Sequence, residues 1–320
     1  MESHISDVLA LLRRPRQSDP VLEFIISEDG YKRIIEEREK TNRSYRVSYD
    51  SHSRTVTICF PTAVHERTGD MVISSMVNEV VRMLENAGVG DEVTSRIQSG
   101  GHETITDSSL ARSYKEPDGL IIFEDFKSKN PRRIVLEVGF SQTYASLKRA
   151  CLWWMNQRQV PVVLSLFLTE NRHNSGSARQ VFRTVEERDL HIQRYIDAFN
   201  AQMTQEHRPL GPLVYDGNIW FGSLRHAFFE TYRVTDTGVV KSEAAHLVQD
   251  GVDVSDDIPR DLGAIEVGDF VPHGWLSDDV LRRSAVNFLR PQSFMRMLSG
   301  AIFRTALGRV ADTLTVEEIL

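Results

Sequence analysis

Two carboxylates carry most of the chemistry this chain could support. Asp118 stands at the start of one apolar β-run, Gly119-Leu-Ile-Ile-Phe123, and Glu137 near the end of the next, Ile134-Val-Leu-Glu-Val138. If the runs pair as an antiparallel hairpin, the start of one lies beside the end of the other. The two acids then meet although 18 residues separate them. Glu137 interrupts a strand that should be buried on both faces, where an unpaired carboxylate is costly. Two acids at one sheet edge repel, and a hard divalent cation relieves that repulsion. Glu79 falls on the apolar stripe Val72, Met76, Val80 and Met83 of an expected helix. If that helix packs on the sheet, Glu79 is available as a third oxygen ligand.

The segment Ser113-Tyr-Lys-Glu-Pro-Asp118, followed by Ile134-Val-Leu-Glu-Val-Gly-Phe-Ser141, resembles the PD-(D/E)xK nuclease-like superfamily. It is more closely similar to restriction-endonuclease-like proteins common in fungal genomes, which carry a K-x-P-D segment and then E-V-G-x-S before a helix. Phe60-Pro-Thr-Ala-Val-His-Glu66 resembles that group's strand-to-helix junction, and the likeness covers roughly residues 40–235.

The resemblance implies a phosphodiesterase core in which Asp118 and Glu137 hold Mg²⁺ or Mn²⁺ and the carbonyl of Val138 adds a ligand. The ion would polarise the scissile phosphate and lower the pKa of the attacking water. A lysine two residues after the second acid usually positions that water, and here the position is Gly139. Lys148, on the face of the next helix that also carries Tyr144, is the candidate for a migrated lysine, and Gln142 could meet substrate or water. The implied activity is metal-dependent hydrolysis of nucleic acid. The alternative is a repurposed member of the fold that binds a small molecule or partner, or catalyses a step of fungal specialised metabolism. Tyr144, Trp153 and Trp220 would then line its pocket. An open, basic channel goes with the first reading and a closed apolar pocket with the second.

The elements that must position these residues follow from periodicity. Ile5, Val8, Leu9 and Leu12 have helical spacing up to Pro15, and a second helix runs from Ser27 to Glu39. Tyr45, Val47 and Tyr49 alternate, as do Val56, Ile58 and Phe60, around a polar turn at Asp50 to Ser53, which reads as a hairpin. A helix spans about 63–87 and stops at Gly88. The two β-runs follow, then a helix from Tyr144 to Gln157 capped by Ser141, then the buried strand Val160 to Leu168. Thr104 to Ser113 and the stretch from Asn171 to Ser177 read as loops. Beyond lie a helix from Glu186 to Met203, short strands near Leu213, Asn218 and Ala227, and a helical tail from Ser277. Strand, strand, helix, strand is an α/β pattern. The expected architecture is a restriction-endonuclease-like mixed sheet flanked by helices, with a helical extension at 1–40, the core at 41–235 and a second helical extension at 236–320.

Composition fits that picture. The chain has 320 residues, 41% hydrophobic and 26% charged, enough for a core without disulfide or metal staples. Cys59 and Cys151 each lie in a hydrophobic run and read as buried free thiols. The net charge of −7 argues against a broad non-specific nucleic-acid footprint but leaves room for a small local site. No signal peptide and no apolar run of membrane-spanning length is present, so the expectation is a soluble intracellular protein, cytoplasmic or nuclear, with no membrane partner.

Other constellations fit less well. Gly139-Phe140-Ser141 has the setting of a serine nucleophile elbow, but Thr143 stands where the motif needs glycine. His65-Glu66 and His102-Glu103 lack the second histidine of a zinc-binding helix. The C-terminal arginines, Arg282 to Arg309, read as a solvated or subunit-contacting helix.

Overall fold

In a computed structural model, the described residues are 5–6, 8–9, 22–41, 45–51, 53–100, 115–125, 131–140, 142–171, 180–258, 262 and 265–316. Ser141, Leu12 to Pro15, and the loops expected at Thr104 to Ser113 and over 172–177 lie outside them.

The chain first builds a small unit with its own core. Strand β1 (Leu22–Ile25) leads into helix α1 (Glu28–Thr41), and the expected hairpin follows as β2 (Arg46–Asp50) and β3 (Thr55–Cys59). The three strands pair antiparallel in the order β1-β3-β2. Ile5, Val8, Tyr31, Ile34, Val47, Tyr49, Val56 and Ile58 pack together, separately from the main core. The first forty residues are therefore not purely helical. Four residues of β1, too few to show a period, take the free edge of the hairpin.

Thr62 then caps α2 (Ala63–Asn86) by accepting a hydrogen bond from the His65 N–H at 3.4 Å. Val72, Ile73, Met76, Val80 and Leu84 form its buried stripe, and Gly88 ends it at φ +76°. Next come β4 (Ile97–Ser99), β5 (Gly119–Phe123), β6 (Arg132–Phe140), helix α3 (Tyr144–Arg158) and β7 (Val162–Glu170). Thr143 caps α3, accepting from the Ser146 N–H at 3.2 Å. Strand β8 (Gln180–Phe182), helix α4 (Val185–Thr204), β9 (Leu213–Tyr215), β10 (Asn218–Phe221) and the long β11 (Leu224–Thr235) follow.

The region after 235 is not only helical either. β12 (Gly238–Lys241), β13 (Ala245–Gln249) and β14 (Val252–Asp253) join the central sheet through β11, before α5 (Pro291–Ala311) and β15 (Leu314–Val316). Among the described residues the central sheet has eight strands, ordered β14-β13-β11-β7-β6-β5-β4, with β12 also on β11. β6 and β7 run parallel and the other pairs antiparallel, so the protein is a mixed α/β fold with helices on both faces.

Residue parity assigns the faces. Ile134, Leu136, Val138, Leu164 and Leu166 join the core built by α2, α4 and α5. Val135, Val163 and Phe167 join Leu147, Cys151 and Trp154 of α3 on the other face. Helix α5 is locked to β7 by Arg309, which donates to both Glu170 oxygens at 2.8 Å and to the Trp220 carbonyl at 3.0 Å. Arg309 is 3% exposed, so this arginine of the C-terminal series is an internal strut rather than a solvated one. No helix among the described residues is long and apolar enough to cross a membrane.

Candidate functional site

β5 and β6 pair with Gly119 opposite Leu136, and the Asp118 N–H donates to the Leu136 carbonyl at 3.1 Å. That register sets Asp118 opposite Glu137, on the sheet face covered by α3. The same row continues through Ser165 of β7 to Glu230 of β11, since Glu137 pairs with Ser165 and Ser165 with Glu230. A transverse line of polar residues thus crosses the sheet, and all four are buried.

Each acid near the cleft end of that line holds a cation of the chain. Asp118 accepts from the Val138 N–H at 2.6 Å, lies 3.2 Å from His65 Nε2 and contacts the Arg46 guanidinium. Glu137 contacts the Trp154 indole N–H and lies 2.8 Å from Lys115 Nζ, which sits 5.4 Å from the Trp154 ring centroid. Glu116, 7% exposed, takes both Arg38 nitrogens, at 2.5 and 3.1 Å. Burial pulls the Arg46 guanidinium below its ordinary pKa, while Cys59, Glu137, Glu66 and Glu116 pull it back up.

These groups sit at the base of a cleft of about 470 Å³ between the β2–β3 hairpin and α3. Ser48, Thr55 and Thr57 line the hairpin wall; Gln142, Ser146, Arg149 and Trp153 line the opposite one. Among the described residues, the lining holds five acids (Glu23, Asp50, Glu116, Asp118, Glu137) against three strong bases (Arg46, Lys115, Arg149). It is neither a basic channel nor an apolar pocket.

The residues expected from the sequence divide clearly. Asp118, Glu137, Val138 and Gln142 come together at the cleft. Val138 acts there through its N–H on Asp118. Lys148 is exposed and outside the lining, because the cleft-facing side of α3 is Ser146, Arg149, Ala150 and Trp153. Tyr144, which shares a face with Lys148, turns to Glu230, its hydroxyl 2.7 and 2.9 Å from the two carboxylate oxygens. Glu79 pairs with Arg82 on its own helix, at 2.5 and 3.0 Å. It lies fourteen residues past His65 along α2, roughly 21 Å at the helical rise, so it does not reach the cleft. Trp220 is fully buried against Tyr195 in the main core, away from the lining.

Four site residues escaped the sequence reading: Arg46, His65, Lys115 and Glu116. Three of them stood inside segments already singled out, Lys115 and Glu116 in Lys-Glu-Pro-Asp118 and His65 in the strand-to-helix junction. Position 139, two residues past Glu137, is closely surrounded. A Cβ there would lie 2.9 Å from Leu147 Cδ2 and 3.2 Å from both Gln142 Nε2 and Phe167 Cδ2, so a side chain at that point requires these neighbouring side chains to shift. Lys115 reaches Glu137 from the neighbouring segment instead.

Both acids already hold cations of the chain, and their oxygens are of the donor type that hard divalent ions take. Carboxylates and backbone carbonyls are oxygen ligands, and the lining carries an excess of negative charge. Among the described residues no group of three or more His, Cys, Asp or Glu converges as a ready-made metal cage. Mg²⁺ needs none, since it keeps several waters and commonly takes one or two carboxylates plus substrate oxygens. The chain matches no protein-family profile and no curated protein.

Proposed function

We propose that this cleft hydrolyses phosphodiester bonds in nucleic acid with the help of Mg²⁺ or Mn²⁺, on a restriction-endonuclease-like sheet. The observation that carries the reading is Lys115 Nζ at 2.8 Å from Glu137, with Asp118 opposite on the adjacent strand. Two acids and a lysine are thereby gathered although the usual lysine position is a packed-over glycine.

Asp118, Glu137 and the Val138 carbonyl would hold the ion, which supplies Lewis-acid polarisation of the phosphate and a more acidic bound water. The protein's own groups do the rest. The Val138 N–H holds the Asp118 carboxylate in place, and Trp154 does the same for Glu137, so neither acid must reorganise when charge develops. The Lys115 ammonium orients the attacking water and offsets the negative charge that grows on the phosphoryl oxygens. Attack by the water forms the new P–O bond and releases one of its protons to solvent, while the bond to the leaving sugar oxygen breaks and that oxygen takes up a proton from solvent. The surplus of acids in the lining explains why a polyanion would need a bridging dication to approach at all.

Calorimetric titration of Mn²⁺ into the wild type and Glu137→Gln, followed by incubation of each with an oligonucleotide, tests the reading. Wild type should bind Mn²⁺ and cleave, and the variant should lose both by about 100-fold or more. Equal Mn²⁺ affinity in the two proteins would remove Glu137 from the site.

A further inference from the structure

Asp118 has both carboxylate oxygens occupied by groups of the chain. Val138 N–H and His65 share Oδ2, and Arg46 is on Oδ1. Arg46 belongs to a different packing unit from Asp118. It opens β2, whose inward residues Val47 and Tyr49 pack in the N-terminal core, while Asp118 precedes a strand of the central sheet. The two are joined here by a side-chain ion pair rather than by a shared strand ladder. Arg46 is also poorly hydrated, with a side chain 11% exposed, and is kept in place by the acids around it.

A guanidinium and a divalent cation cannot share one carboxylate oxygen without strong repulsion. The guanidinium fork that fits a carboxylate fits a phosphate equally well, and it keeps its charge at any working pH. Resting on the phosphodiesterase reading, we propose that Arg46 is an exchangeable counter-ion: it occupies the ion's place at Asp118 Oδ1, yields it when the divalent cation binds, and then holds a substrate phosphate in the cleft. Arg38 on Glu116 is the internal comparison, since it ties the same unit to the same segment without touching Asp118.

The test compares wild type, Arg46→Met and Arg38→Met in two titrations. The first uses Mn²⁺ alone. The second, at saturating Mn²⁺, uses a dinucleotide whose bridging oxygen is replaced by methylene, which keeps the charge and resists hydrolysis. Arg46→Met should bind Mn²⁺ about tenfold more tightly than wild type, and the dinucleotide about tenfold more weakly. Arg38→Met should stay within about twofold of wild type for Mn²⁺. If Arg46→Met does not fold, Arg46→Gln serves in its place. Unchanged or weaker Mn²⁺ binding by the Arg46 variant, an equal gain in Arg38→Met, or unchanged dinucleotide affinity would each overturn the exchange while leaving the phosphodiesterase reading standing. Absence of Mn²⁺ binding in all three proteins would remove that reading, and the exchange with it.

Discussion

At the scale of single residues, the site is governed by where charge is allowed to stay buried. Glu137 and Glu230 are both under a tenth exposed, and each is held by a lysine and by ring hydrogen-bond donors. Cys151 lies on α3 on the same face of the sheet. Burial, and then the negative charge of Glu137, pushes its thiol well above the ordinary range. The folded chain therefore keeps a proton that the unfolded chain loses above roughly pH 8.5. The stabilisation is complete below that pH and is lost as pH rises. Burial shifts Tyr232 upward, and the contact with Glu230 shifts Lys241 upward, so both steepen the loss at higher pH. The melting temperature should fall between pH 8 and 10, and less steeply in Cys151→Ala than in wild type. Parallel pH profiles for the two proteins would show that the thiol contributes nothing.

The hairpin of β5 and β6 shows what could be read at the scale of elements. Its two runs are apolar on both faces, so strands were legible. Antiparallel pairing of neighbours then followed, and with it the meeting of Asp118 and Glu137. The row from Glu137 through Ser165 to Glu230 was not legible, because the register of β7 and β11 depends on pairings between distant segments. The placement of Lys148 outside the cleft lining was not legible for a related reason. Helical spacing tells which residues share a face of α3, but not which face looks at the cleft. Gly119 is where helix and hairpin meet most closely. A methyl there would overlap the Ile73 side chain of α2 and press on Leu136 Cβ at 3.3 Å. Gly119→Ala should therefore lower the urea-unfolding free energy by about 1–3 kcal/mol. An unchanged unfolding midpoint would mean that α2 is not seated on β5 as described.

Across the whole molecule, the α/β class was readable from the alternation of apolar runs and helical stripes, but the joining of the ends was not. β1 completes the N-terminal sheet, and β12 to β14 extend the central one, through short strands whose partners are set by distant chain. Net charge was legible and it matters: a chain of −7, with a cleft lining that among the described residues is richer in acids than bases, does little to draw in a polyanion by its own field. On the proposed function, cleavage should stop when the divalent ion is chelated, and with the ion present it should depend on Lys115, which reaches Glu137. The most direct measurement is the cleavage rate of a single-stranded oligonucleotide at saturating Mn²⁺ by wild type, Lys115→Met and Lys148→Met. Lys115→Met should lose about 100-fold while Lys148→Met stays within about twofold of wild type. No Mn²⁺-dependent cleavage by wild type, or a loss in Lys148→Met with Lys115→Met unaffected, would contradict the assignment of this cleft.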